Sequence, residues 1–290
     1  MSFEFGRLMT AMVTPFNASG DVDYHEAIRL GEYLVETGTE TIVLAGTTGE
    51  CPTLTHNEEF QLFDHFVKHF SGKVKIIAGT GSNCTATAIR STQMAESIGV
   101  DGVLQVVPYY NKPSQEGMYQ HFKAVSGSTS LPILLYNIPG RTGVNMLPET
   151  VARLAEIPTI FGIKESANVE QVRTLRSIVP AEFLIYSGDD ASTLDYMEVG
   201  GCGVVSVAAH LVGREMQGMM AAFLGGDQEK AREIEARLKP LFEVLFMTSN
   251  PVPVKAAMEM RGFRVGGPRL PLVGLTSSES DRLRIAIEGL

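Results

Sequence analysis

Thr159-Ile160-Phe161-Gly162-Ile163-Lys164-Glu165-Ser166 is a short apolar run, set directly after Pro158, that ends in a charged residue. A run of this length between breakers has the signature of a strand buried on both faces, as in a parallel sheet enclosed by helices. Lys164 at its end has two readings. Its stem can snorkel until the ammonium reaches water, the common fate of a lysine, or its amine can be held dry as a nucleophile. A lysine in water is neutral in only about one molecule in a few thousand at pH 7, so the second role needs surroundings that disfavour charge. Ile160, Phe161 and Ile163 are expected to supply them.

Working outward, similar runs begin near Leu8, Thr41, Val74, Asp101, Leu131, Thr159, Phe183 and Gly203, each followed by a longer stretch with helical spacing. Such alternation implies parallel strands joined by crossover helices, and eight units match the ~250 residues of a (β/α)8 barrel. The predicted fold is therefore an α/β TIM barrel over residues 1–225 with a C-terminal helical extension over 226–290. Helical patterns continue past the eighth strand at 214–224, 228–246, 254–260 and 278–288, with Asn250-Pro251-Val252-Pro253 breaking the chain between two of them. The segment 57–70 shows an outer helix's stripe: Phe60, Leu62, Phe63, Phe66, Val67 and Phe70. His65 and His69 lie four apart on it, but Phe66 stands where a zinc-protease helix carries glutamate, so a solvated flank is expected and no metal site.

Composition excludes several function classes. The 290 residues carry a net charge of −9 and no basic patch, which argues against nucleic acid or an anionic membrane as partner. Cys51, Cys84 and Cys202 are too few and too scattered for a disulfide framework or a zinc site, which fits a reducing compartment; Cys51 reads as a small buried thiol. Glu4 and Arg7 interrupt the first residues without a long apolar run behind them, so no signal peptide is expected, and no run is long enough to span a bilayer. The expected location is cytoplasmic.

In such a barrel, chemistry belongs to the loops after the strands. Gly46-Thr47-Thr48-Gly49-Glu50 offers close backbone approach, successive N–H groups and two hydroxyls, a cradle for a carboxylate, or else a Gly-rich turn whose threonines cap the next helix. Ala78-Gly79-Thr80-Gly81-Ser82-Asn83 starts like a dinucleotide fingerprint, but Cys84 replaces its third glycine, and a tight turn is predicted. Of Tyr109 and Tyr110 in Val107-Pro108-Tyr109-Tyr110-Asn111, at most one faces the barrel mouth. Tyr136 ends its strand as Lys164 ends the next, and a phenol beside an amine can shuttle protons. Arg141, on a Pro-Gly turn, suits a carboxylate or a surface ion pair. Asp189 and Asp190 after Ser187-Gly188 read as helix caps.

Taken together, Gly46 to Glu50, Pro108 to Asn111, Tyr136 to Gly143, Gly162 to Glu165, Ser187 to Asp190 and Asn250 to Lys255 make the sequence resemble the dihydrodipicolinate synthase family of pyruvate-dependent class I aldolases and lyases, over nearly the whole chain. The resemblance implies condensation of pyruvate with aspartate 4-semialdehyde on the route to lysine and diaminopimelate. It implies Lys164 as the Schiff-base residue and Tyr136 as proton relay, linked through Thr47 to a Tyr110 contributed by the neighbouring subunit. Thr47 and Thr48 would hold the pyruvate carboxylate, Arg141 that of the semialdehyde, and Gly188 and Val205 would line the site. No metal or organic cofactor is implied, and the assembly would be a homotetramer built from tight dimers. Lysine-inhibited members carry a histidine and a glutamate where this chain has Glu59 and Thr87, while His56 and Asn83 are retained, which implies weak feedback inhibition. The rival readings are N-acetylneuraminate lyase, a 2-keto-3-deoxy sugar acid aldolase, or a non-catalytic keto-acid-binding barrel. Arg141 speaks against the sialic-acid lyase and the intact set Lys164, Tyr136 and Thr47 against the silent barrel.

Overall fold

The computed structural model describes residues 5–290; Glu4 lies outside them. Eight strands follow the predicted order: β1 (Leu8–Ala11), β2 (Thr41–Leu44), β3 (Lys75–Gly79), β4 (Gly102–Val106), β5 (Ile133–Asn137), β6 (Ile160–Glu165), β7 (Leu184–Ser187) and β8 (Gly203–Ser206). They pair in chain order as a closed barrel. Closure leaves no sheet edge, and most strand residues are buried, which is why the strands read as near-continuous apolar runs.

The described residues form two compact units: 5–7 with Lys75–Val205, and Leu8–Val74 with Ser206–Leu290. In the first, the parallel register of β5 and β6 slips once near Ile133, then runs Leu134 to Gly162, Leu135 to Ile163, Tyr136 to Lys164 and Asn137 to Glu165. Helices Thr85–Ile98, Gln115–Ser126, Pro148–Ala155 and Val169–Ile178 bury Ala95, Phe122, Leu154 and Leu175. Ser114 and Asn168 cap two of them by accepting from the N–H groups of Gly117 and Gln171. Asp189 has the predicted capping role, accepting from Ala191 N and Ser192 Oγ. The helical pattern of residues 191–199 that it caps divides into a 3-10 turn, Asp190–Ser192, and a helix, Thr193–Glu198. Gly81 is forced by packing rather than by a nucleotide, since a Cβ there would fall 2.5 Å from the Val106 backbone nitrogen.

In the second unit, helix His56–Phe70 opens with a reciprocal capping box between Thr55 and Glu58 and buries Leu62, Phe63, Phe66 and Phe70. His65 stacks on Tyr24 and His69 Nε2 lies 2.8 Å from Glu32, so both histidines have partners within the protein. The extension consists of Gln228–Leu245, Val252–Met260 and Ser277–Glu288 after the kinked helix Ala209–Leu224. Helix Val252–Met260 starts two residues earlier than predicted, because Pro253 sits in its first turn, where the missing N–H costs nothing. No helix among the described residues is long and apolar enough to cross a membrane. Cys51 is half-buried rather than buried, Cys84 is exposed and Cys202 is buried.

Candidate active site

Lys164 is 5% exposed, and its Nζ lies 4.2 Å from the centroid of the Tyr136 ring. Neither forms an ion pair among the described residues. The ladder explains the meeting: Val106, Tyr136, Lys164 and Tyr186 are register partners across four neighbouring strands, so their side chains share one face. An aromatic face is the one apolar surface that attracts an ammonium, and it leaves the amine lone pair unblocked when the proton is gone. Lys164 does not snorkel.

The expectation that Ile160, Phe161 and Ile163 surround the amine is corrected by the same alternation. Ile163 points with Leu135 to the opposite face, and Phe161 stacks on Phe5 at 4.7 Å. The neighbours of the Lys164 side chain come from the adjoining strands: the Tyr136 ring on one side and, at its Cε, the Gly188 backbone on the other, with Tyr186 as its register partner in β7. The Tyr186 hydroxyl donates to the Gly6 carbonyl over 2.8 Å. Tyr186 was hidden in its apolar run, with no local signal to mark it.

On the opposite face, one residue on, Glu165 is fully buried. Its carboxylate accepts from Asn137 Nδ2 at 2.9 and 3.1 Å, from Gln171 Nε2 at 2.9 Å and from the Ala167 N–H at 2.8 Å. Asn145 Oδ1 in turn accepts from Asn137 at 2.7 Å. Burial pushes the Glu165 carboxyl up to about 7, although those donors pull it down. Burial, then the charges of Glu165 and Asp189, likewise hold the Tyr196 phenol well above its ordinary range. The strand ends are tied by Ser166 N donating to Asn137 O and Gly188 N donating to Glu165 O. Gly188 leaves room at the lysine: a Cβ there would lie 1.8 Å from Ser166 Oγ, so the serine would have to turn, and 3.1 Å from Lys164 Cε. Val205 is buried in β8.

In the second unit, the loop after β2 is bracketed by two non-glycine residues at positive φ, Ala45 at 48° and Glu50 at 57°. Such backbone persists only where its surroundings over-determine it. Gly49 O accepts from Thr14 Oγ1 at 2.6 Å, and Gly49 is pressed against Ala45 and the Met12 carbonyl. Glu50 Oε1 takes Lys255 Nζ at 2.8 Å and its Oε2 takes the Arg269 N–H at 2.9 Å. Thr48 is buried, with Asn250 Nδ2 donating to its Oγ1 over 2.9 Å; Thr47 is half-buried. The threonines do not cap the following helix, a task that falls to Thr55.

Two predicted site residues lie at the surface. Tyr110 is 88% exposed at φ 73°, on a loop braced by Asn111 Nδ2 donating to Asn83 O and Asn83 Nδ2 donating to Tyr109 O. Arg141 is exposed on the one-turn helix Pro139–Thr142.

A closed eight-stranded barrel with a buried lysine at the end of a strand, and strand-end loops braced by long-range bonds, defines an α/β-barrel enzyme. The chain belongs to the dihydrodipicolinate synthetase family, whose sequence profile matches residues 4–290. A 4-hydroxy-tetrahydrodipicolinate synthase from Cyanothece sp. is 54% identical over 288 residues, 99% of this chain and 98% of that one. Another from Moorella thermoacetica is 52% identical over 286 residues, 98% of each. Among solved structures, a dihydrodipicolinate synthase from Bacillus anthracis superposes with a TM-score of 0.97 at 47% identity, covering 99% of this chain and 98% of that one. One from Cyanidioschyzon merolae, with lysine bound, gives 0.97 at 48% identity and 98% of each chain.

Proposed function

We propose that this lyase condenses pyruvate with L-aspartate 4-semialdehyde to 4-hydroxy-tetrahydrodipicolinate, with Lys164 as the nucleophile. The observation that carries the reading is the buried Lys164 amine over the Tyr136 ring. The neutral amine adds to the pyruvate keto carbon, and loss of water leaves a protonated imine. That imine draws electrons from the methyl C–H bond, so a proton leaves and an enamine forms. The enamine carbon bonds to the semialdehyde carbonyl carbon, whose oxygen takes up a proton. Attack of the substrate's own amine on the imine carbon then closes the ring and releases Lys164. Tyr136 carries the protons at these steps.

In this reading Thr47 and Thr48 hold the pyruvate carboxylate, Arg141 receives the semialdehyde carboxylate by a bidentate pair, and Gly188 and Val205 line the site. Tyr110 serves the neighbouring subunit, which accounts for so large an aromatic left 88% exposed on strained backbone, and the assembly is a homotetramer of tight dimers. Borohydride reduction in the presence of pyruvate, read by peptide mass spectrometry, is expected to leave an adduct on Lys164 alone, and the Lys164→Met protein none. An unmodified Lys164 in the wild type would end this reading. Cleavage of sialic acid faster than semialdehyde condensation would favour the sugar-acid aldolases instead.

A further inference from the structure

Thr48 Oγ1 has one partner among the described residues, the side-chain amide of Asn250, 202 residues further along the chain. A threonine hydroxyl owns one proton and two lone pairs. Because Asn250 Nδ2 donates over 2.9 Å into a lone pair, the hydroxyl proton is directed away from Asn250, and nothing else in the described residues accepts it. Both residues are buried, Thr48 at 2% and Asn250 at 7% exposure, so water cannot freely reset that direction. The surrounding loop is not free to turn either. Thr14 holds the Gly49 carbonyl, and the Lys255 ammonium and the Arg269 N–H hold the Glu50 carboxylate on the next residue. Asn250 stands directly before Pro251 and helix Val252–Met260, the helix that carries Lys255, so one element supplies both the amide and the ammonium.

We infer that Asn250 is a positioning residue that sets the hydrogen-bond polarity of Thr48: by occupying a lone pair it makes the hydroxyl a donor, so the loop selects an anionic carboxylate over a neutral or donor group. A residue at 250 that only accepts would claim the Thr48 proton for itself and turn lone pairs toward the ligand, where a carboxylate is repelled. The inference rests on the reading that Thr47 and Thr48 hold the keto-acid carboxylate.

The test compares Asn250→Asp and Asn250→Ala, each with Thr48→Val, in steady-state kinetics and in borohydride trapping with pyruvate. Asn250→Asp, near-isosteric and acceptor-only, is expected to raise the pyruvate KM by about tenfold or more, the loss of one charge-assisted hydrogen bond, with kcat changed by less than about threefold. Asn250→Ala is expected to weaken pyruvate in the wild-type background and to add nothing in the Thr48→Val background, because the amide acts only through that hydroxyl. A role confined to stability moves the melting temperature and leaves the split between KM and kcat untouched. An unchanged pyruvate KM in a folded Asn250→Asp protein overturns the inference, as do independent, multiplying losses from Asn250→Ala and Thr48→Val. If the aspartate variant does not fold, the alanine cycle decides by the same criterion. A wild-type protein that forms no pyruvate adduct on Lys164 removes the underlying reading; a wild type that forms it while Asn250→Asp traps pyruvate equally well at low concentration removes this inference alone.

Discussion

Lys255 Nζ lies 2.8 Å from Glu50 Oε1 with both side chains 1% exposed, and the same ammonium donates to the carbonyls of Thr14 and Gly267 while facing the Phe16 ring at 4.0 Å. Burial lowers the Lys255 pKa from its ordinary value, and the Glu50 carboxylate opposes that shift. A pair this dry stabilises only as a pair, because either partner alone is an unpaired buried charge. Lys255→Met is therefore expected to cost about 3–5 kcal/mol in urea unfolding, and Lys255→Met with Glu50→Gln to cost less than the single change. A single variant within about 1 kcal/mol of wild type would show that the pair does not brace the loop.

Glu165 makes stability depend on pH in a direction opposite to most carboxylates. Its folded pKa of about 7 lies above the ordinary 4.5, so the folded protein keeps the proton longer than the unfolded chain does. The favourable contribution is complete below pH 4.5 and is lost as pH rises to about 7, a swing on the order of 3–3.5 kcal/mol. Glu165→Gln cannot titrate, and the difference in stability between it and wild type is expected to change across that window and be flat above it. Parallel stability curves for the two proteins from pH 5 to 8 would contradict the argument.

The barrel was legible because its signal is local. Eight apolar runs with helical stretches between them need no knowledge of what meets what, and the strand starts fall within two residues of those expected. Lys164 and Tyr136 were legible for a related reason: equal positions on successive strands become neighbours in a parallel register. Elsewhere the pattern fell silent. Asn250 and Thr48 lie 202 positions apart, Lys255 and Glu50 205, and no periodicity links such pairs. The role of Lys255 was accordingly open from sequence. Tyr186 and Glu165 were missed for another reason, since an apolar run or a charge beside Lys164 does not say which face each residue takes until the register is known.

Arg141 offers a sharper test of substrate recognition than the buried residues do, because its exposed position makes folding defects small. A planar guanidinium meets a carboxylate through two parallel hydrogen bonds, which the single ammonium of lysine cannot reproduce. Arg141→Lys is expected to lower kcat/KM for the semialdehyde by about ten- to a hundredfold, or roughly 1.4–2.8 kcal/mol. Pyruvate adduct formation on Lys164 should be unchanged. Equal losses for both substrates would place Arg141 outside semialdehyde recognition.

Feedback by L-lysine is expected to be weak, and the His56–Glu59 pair supplies a physical reason. His56 Nδ1 lies 3.0 Å from Glu59 Oε2 on the first turn of helix His56–Phe70, and Glu59 is 8% exposed. Burial raises the Glu59 pKa, while the bond to His56 opposes the rise. An amino-acid effector needs a carboxylate to pair with its ammonium, and Glu59 is already buried and engaged. Thr87 has no charge to offer in its place. Recruiting Glu59 would break the histidine bond, and that loss is subtracted from whatever the effector gains. Half-inhibition is expected only above about 1 mM lysine, where the binding free energy is no more than roughly 4 kcal/mol. Thr87→Glu, which adds a carboxylate without disturbing the pair, should lower that concentration. Inhibition of the wild type at micromolar lysine, measured by activity titration and by calorimetry, would show that His56 and Glu59 do not compete with the effector.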